Sequence, residues 1–146
     1  MGREKTAGTG TIGRQPAAAG CATSNELAIL HVLRSAKSPM SAYAILDAVR
    51  ATRITAPTTV YRALSRLIAG GAVHRLASLN AYVMCSDHHH AHGPPAFAIC
   101  RDCGHVDELA EADVVQRLQS DATRVGFHVE ATTIELMGRC ASCVQR

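Results

Sequence analysis

The segment Cys85–His105, "CSDHHHAHGPPAFAICRDCGH", packs three cysteines, five histidines and two acids into twenty-one residues. Four ligands complete a tetrahedral metal site, so this stretch holds more donors than one ion requires. Further on, "CASC" adds two more cysteines, and Cys100/Cys103 and Cys140/Cys143 form two C-x-x-C pairs. A C-x-x-C turn lets two thiolates converge on one ion, and two such turns make the closed four-cysteine site of structural zinc. A redox dithiol would need one pair to open a helix in a βαβ unit, which "ICRDCGH" does not do. In a module this small, such an ion would contribute folding free energy directly.

Cys85 and the histidines then need their own account. "AVHRLASLNAYVMC" reads as a hairpin, two β-favouring runs around "SLNA", where Asn80 tolerates turn geometry. A turn centred between Leu79 and Asn80 would set His74 directly opposite Cys85, with Cβ atoms roughly 4.5–5.5 Å apart, close enough to share a metal. A slip of one residue would destroy that pairing. A third ligand could come from His88, His89, His90 or His92, and a fourth from Glu108 just past the first cysteine turn. Both C-x-x-C pairs lie in the second half of the chain, whereas His74 and Cys85 lie in the first. An ion held by His74, Cys85, a histidine of the connecting segment and Glu108 would therefore staple two modules together. A structural ion stabilises one module; an ion that spans a hinge sets orientation and can act as a switch. Cys21 is expected to be a free thiol without a role.

The elements that must position these donors follow from periodicity and punctuation. Residues 1–23 lack periodicity and read as a tail. In "TSNELAILHVLRSA", Thr23 and Ser24 can cap a helix with Leu27, Leu30 and Leu33 at helical spacing. "SAYAILDAVRA" starts at Ser41 and puts Ala42, Ile45, Leu46 and Val49 on one face, leaving Tyr43 outside it. "TAPTTVYRALSRLIAGG" is the clearest helix. Thr55 can cap it, Pro57 suits its first turn and Gly70-Gly71 ends it. Its stripe is Val60, Leu64, Leu67 and Ile68; Thr58, Arg62, Ser65 and Arg66 lie opposite. Three helices and a hairpin make the order of a winged helix-turn-helix, spanning 24–85. A hinge covers 86–94, and 95–146 forms a second α/β module. Within it, "AFAIC" and "HVDEL" are short strands, "EADVVQRLQSDATRVG" is a helix with Val114, Val115 and Leu118 inward, and "FHVEATTIELMG" is a strand leading to Cys140. The fold class is α+β.

Charge supports the division. Residues 1–84 carry ten Lys/Arg against three Asp/Glu, and residues 85–146 five against nine. No acid falls between Ala48 and Ser86, which hold five arginines, so the first module is suited to a polyanion. No apolar run approaches the ~18 residues of a membrane span. The N-terminus has no hydrophobic signal core, so the expected location is the cytoplasm, where six cysteines argue against a disulfide framework.

"APTTVYRAL", "VHRLASLNAYVMC", "ICRDCGHVDEL" and "CASC" together resemble the ferric uptake regulator family, in its zinc uptake regulator branch, over residues 24–146. The resemblance implies a homodimeric repressor in which residues 95–146 dimerise, zinc is the corepressor and zinc import genes are controlled. Cys100, Cys103, Cys140 and Cys143 match the family's structural zinc ligands. His74, Cys85 and Glu108 match three ligands of its sensing site, with His92 as the fourth and His90 as the fallback, giving one structural and one regulatory zinc per chain. Tyr43 and Arg62 match positions used on DNA. Where relatives that sense iron carry "HHHDH", this chain has "HHHAH", with Ala91 in place of the acid and a longer spacer before Cys100. It also lacks a histidine in "TTIELMG", and His128 lies too early to replace it, which argues against a third metal site. A thiolate ligand favours zinc over Fe²⁺ or Mn²⁺.

On double-stranded DNA, Arg62 is the candidate for bidentate bonds to guanine, with Thr58 on the same helix face. Arg53, Arg66 and Arg75 suit phosphate. Dimer symmetry predicts a palindromic operator. The competing readings are a sister regulator sensing iron, manganese or peroxide and, more remotely, a zinc-ribbon or thiol-redox enzyme. No nucleophile–base pair of recognisable spacing and no Gly-rich phosphate loop is present, so neither an enzyme nor a small organic substrate is expected, and no membrane partner.

Overall fold

The computed structural model describes residues 22–86, 96–109 and 112–145. Helix α1 (Ser24–Ser35) begins with a reciprocal cap: the Thr23 hydroxyl accepts from the Glu26 N–H, and the Glu26 carboxylate accepts from the Thr23 N–H. Its buried apolar residues are Ile29 and Leu33, whereas Leu27, expected on the inner stripe, is 56% exposed. Helix α2 (Ala42–Val49) is capped by Ser41 and buries the expected Ala42, Ile45, Leu46 and Val49. A 3₁₀ turn (Arg50–Thr52) follows, and Arg53 takes a left-handed conformation, φ 67°.

Helix α3 (Pro57–Ala69) starts on Pro57 behind the N-cap Ala56, which makes no side-chain cap bond. The expected Thr55 cap is thus replaced by proline, whose fixed φ and missing N–H suit a first turn. Val60, Ala63, Leu64 and Leu67 are buried; Ile68 is 38% exposed and Ala63 stands in its place on the stripe. The helix stops at Gly70, and Gly71 (φ 71°) turns the chain into the hairpin, a conformation glycine adopts without penalty.

Strands β1 (Val73–Leu76) and β2 (Ala81–Met84) pair antiparallel, with His74 opposite Val83. This corrects the expected register by two residues. The turn is centred one residue earlier, on Ala77–Asn80, with Asn80 at φ 46°. A slip of two keeps every side chain on its face. Cys85 continues the ladder by donating its N–H to the Ala72 carbonyl (3.0 Å), so it sits diagonally from His74 on the same face.

The second half is a three-stranded sheet in the order β4-β3-β5. Central β3 (Ala96–Cys100) runs antiparallel to β4 (Val106–Leu109) and parallel to β5 (Ile134–Gly138), and α4 (Ala112–Arg124) lies in the crossover between β4 and β5. The strand expected over 127–138 is confined to Ile134–Gly138. Val115 is buried, but Val114 and Leu118, expected inward, are 48% and 52% exposed. A short helix α5 (Ala141–Val144) ends the described chain. The architecture is α+β, a winged helix followed by a small mixed sheet.

Among the described residues the main core is aliphatic and lies between α1, α2, α3 and the hairpin. A second cluster, Leu76, Phe97 and Ile99 with Val83 and Val106 against it, joins the hairpin to the sheet. No helix among the described residues is long and apolar enough to cross a membrane.

Candidate metal centres and nucleic-acid face

Two turns bring the four paired cysteines together. After β3, the Gly104 N–H closes on the Cys100 carbonyl (3.0 Å) with Gly104 at φ 72°. After β5, the Cys143 N–H closes on the Cys140 carbonyl (2.9 Å). The pairing of β3 with β5 sets these turns side by side, and an Arg139–Asp102 ion pair (3.1 Å) ties them. The four sulfurs lie within 4.8 Å of one another, with Cys103 Sγ and Cys140 Sγ 3.6 Å apart. A tetrahedron with Zn–S bonds of ~2.3 Å has edges of about 3.8 Å, so the sulfur group fits zinc. Its electrostatics fit as well. N–H groups of Cys140, Cys103 and Asp102 point at Cys100 and bring its thiol down to about 6. The neighbouring Cys140 and Cys103 sulfurs push Cys143 up to about 12. Four thiols this close cannot all ionise unaided, which is the arrangement a divalent cation resolves.

The second group is His74, Cys85 and Glu108, whose ligand atoms also lie within 4.8 Å of one another. Glu108 Oε1 is 3.5 Å from His74 Nε2 and 3.8 Å from Cys85 Sγ. Those separations suit three donors at ~2.0–2.3 Å from one ion. The other carboxylate oxygen, Oε2, accepts from the Ser86 N–H (3.0 Å) and hydroxyl (2.7 Å), which orients the side chain. The His74 ring packs on Phe97, centroids 5.4 Å apart. The two hairpin ligands and the sheet ligand therefore meet across the join between the two halves. His88, His89, His90 and His92 lie outside the described residues. His105 instead pairs with Asp107 (3.0 Å) and belongs to neither group. His128 is exposed, and the described residues form no third group of this kind.

On α3, Thr58, Arg62, Ser65 and Arg66 face outward, and Tyr43 on α2 is 65% exposed. The five arginines are not equivalent. Arg66 Nη1 lies 3.5 Å from Glu26 Oε1, Arg75 donates to Asn80 Oδ1 (3.2 Å) and Arg50 pairs with Asp47 (2.9 Å). The Thr23 N–H, then Arg66, holds the Glu26 carboxyl below the usual range, so an ionised acid lies beside a helix whose own sequence has none.

Sequence reasoning missed Ser86, Phe97, Glu26 and Glu135. Glu135 accepts from the Ala77 N–H (2.6 Å) and the Ser78 N–H (3.0 Å) at the hairpin tip. The available signal was an acid set between Ile134 and Leu136 in a strand; nothing local shows what it meets.

Residues 20–137 match the model of the ferric uptake regulator family. The chain is 36% identical over 124 residues to the zinc uptake regulation protein of Escherichia coli (strain K12), covering 84% of this chain and 72% of that protein. It is 34% identical over 89 residues to the zinc uptake regulation protein of Mycobacterium tuberculosis (strain ATCC 25618 / H37Rv), covering 59% and 65%. The crystal structure of holo XcZur superposes with a TM-score of 0.79 at 40% identity, over 86% of this chain and 87% of that one. A zinc uptake regulator complexed with zinc and DNA gives 0.78 at 35%, over 84% and 83%. With its sulfur cluster, its winged helix and a family match over most of its length, this chain belongs to the ferric uptake regulator family.

Proposed function

We propose that the chain is a zinc-responsive transcriptional repressor: a cytoplasmic homodimer that binds palindromic operators when loaded with zinc and controls zinc uptake genes. One observation carries this reading: His74 and Cys85 of the hairpin and Glu108 of the sheet converge on one point. A relative complexed with zinc and DNA supports it, as does the likeness to zinc uptake regulation proteins.

In this reading residues 24–85 are the DNA-binding domain, 86–94 the hinge and 95–146 the dimerisation domain. Cys100, Cys103, Cys140 and Cys143 hold a structural zinc. His74, Cys85 and Glu108 hold the regulatory zinc, with His92, or else His90, as fourth ligand. Bound there, zinc supplies a Lewis-acid centre common to both domains. Ser86 and Phe97 orient Glu108 and His74 around it. With the three ligands drawn together, α3 keeps a fixed attitude to the dimer core, so the pair of recognition helices is presented to DNA in one geometry instead of many. Arg62 and Tyr43 then reach bases and backbone, with Thr58 beside Arg62 and Arg53, Arg66 and Arg75 at phosphates.

The test is operator binding at fixed salt under titration with Zn²⁺, Fe²⁺ and Mn²⁺. Zinc should promote binding at the lowest free concentration. Promotion by Fe²⁺ or Mn²⁺ but not by zinc overturns the reading in favour of a sister regulator.

A further inference from the structure

Phe97 on β3 is the register partner of both Glu108 on β4 and Glu135 on β5. Paired residues point to the same side of a sheet, and strands lie about 4.8 Å apart. Glu108, Phe97 and Glu135 therefore form one row of side chains across the sheet, and the hairpin lies along it. At one end Glu108 meets Cys85, Ser86 and His74. In the middle Phe97 packs on His74 and clusters with Leu76. At the other end the Glu135 carboxylate receives the N–H groups of Ala77 and Ser78, 58 and 57 residues away in sequence. Ala77 and Ser78 are exposed, so water could satisfy these donors. The bonds are therefore not needed to pair buried groups; their effect is to tie the tip of the hairpin to the sheet. Burial raises the Glu135 carboxyl, but bonds from Ser78 and Ala77 outweigh it and hold the group below the usual range, so it is ionised at neutral pH.

We propose that Glu135 is a second, metal-free fastening of the wing: a positioning residue that fixes the angle at which the zinc-loaded DNA-binding half meets the sheet. This rests on reading His74, Cys85 and Glu108 as the regulatory centre. An ion at that centre fixes one end of the hairpin, and the Leu76, Phe97 and Ile99 cluster holds its middle only by non-directional apolar contact, so some pivoting about the ion end remains. A four-residue strand spans roughly 13 Å, so a bond at the tip acts on a long arm and removes the pivot. Helix α3 joins β1 through only Gly70, Gly71 and Ala72, so a rotation of the hairpin carries the recognition helix with it.

The experiment uses the full chain, loaded with zinc, as wild type, Glu135→Ala, Glu135→Gln and Cys85→Ser. The DNA is an operator selected by the wild-type protein from a random-sequence pool. Zinc per chain, amide exchange of residues 77–80 and operator affinity at saturating zinc are read together. Glu135→Ala should keep the wild-type zinc content. Its tip amides should exchange faster, and its operator complex weaken, by roughly tenfold, the scale of one net hydrogen bond among solvent-exposed groups. Glu135→Gln, which keeps one acceptor oxygen, should fall between. Unchanged tip exchange or unchanged operator affinity in Glu135→Ala overturns the proposal. So does a loss of operator binding that comes with loss of zinc, because that marks a merely structural role. Cys85→Ser separates the two ideas. If it binds operator like wild type, the regulatory reading itself has failed. If it loses the zinc response while Glu135→Ala retains full affinity, only the fastening has failed.

Discussion

Cys85 and Cys103 each belong to a group of side chains that could hold a metal ion, and the two groups differ in make-up. Cys103 has only sulfur partners in its group, all from the second half of the chain; Cys85 shares its group with a histidine of its own hairpin and a carboxylate from across the join. Cys103→Ser should remove a structural ion whose binding is worth on the order of 10 kcal/mol to a small module, and residues 95–146 should lose their circular dichroism and zinc. Cys85→Ser should stay folded, hold about one zinc less per chain and bind operator only weakly whatever the zinc concentration. If the two variants behave alike, the division of labour is wrong. Protons compete for the same sulfurs. The Cys100 thiol is depressed to about 6, so its thiolate survives at neutral pH and is lost as pH falls through that value. Zinc content after gel filtration should accordingly hold at neutrality and fall as the pH is lowered, because protons displace the ion from its thiolates; full loss already at neutral pH would contradict this. The four paired cysteines were legible because spacing alone brings two sulfurs together. Ser86 and Glu135 were not, because serine and glutamate occur everywhere and their partners are distant in sequence.

At the scale of elements, the hairpin shows what periodicity can and cannot reveal. The alternation of β1 and β2 put His74 and Cys85 on one face, and they lie on one face. Their direct opposition depended on where the turn is centred, and four residues, Ala77–Asn80, turn the chain one residue earlier than "SLNA" suggests. Because side chains repeat every two residues, a two-residue error preserves the face and changes only the neighbour. On α3 the outward face was read correctly, but the acid beside it comes from α1 and is invisible to any local window. That acid yields a contrast. Arg62 has no acid near it in its own helix and should reach a base edge; Arg62→Ala should cost about 1–3 kcal/mol of operator binding and relax preference at one base pair. Arg66 is held by Glu26 (3.5 Å), so Arg66→Ala should weaken binding to all sequences alike and flatten the salt dependence. Binding to an operator and to scrambled DNA over a range of salt separates the two, and a sequence-selective loss in Arg66→Ala would refute the assignment.

At the scale of the molecule, the buried apolar side chains among the described residues form two unequal clusters. Among the described residues, thirteen buried side chains from α1–α3, the loop before α3 and the hairpin form one cluster, and only Leu76, Phe97 and Ile99 form the other. Leu76 belongs to the hairpin, so the sheet supplies very little interior of its own. A module with so small a core needs a staple or a partner. The sulfur group offers the staple. For the partner, α4 exposes Val114 and Leu118, one turn apart on one face. The helical period placed Val114 and Leu118 inward with Val115, but only Val115 is buried; periodicity shows that a stripe is apolar and not what covers it. If that stripe is the dimer contact, a Val114→Glu, Leu118→Glu double variant should sediment as a monomer while keeping the zinc of the Cys100, Cys103, Cys140 and Cys143 group. Its operator binding should fall by at least ~100-fold, because two linked half-site contacts become one. Isolated half-site DNA should be bound as by wild type, since α3 is untouched. A double variant that still sediments as a dimer and grips the full palindrome would place the contact elsewhere on the sheet, leaving the exposed Leu136 and Met137 of β5 as the next surface to alter.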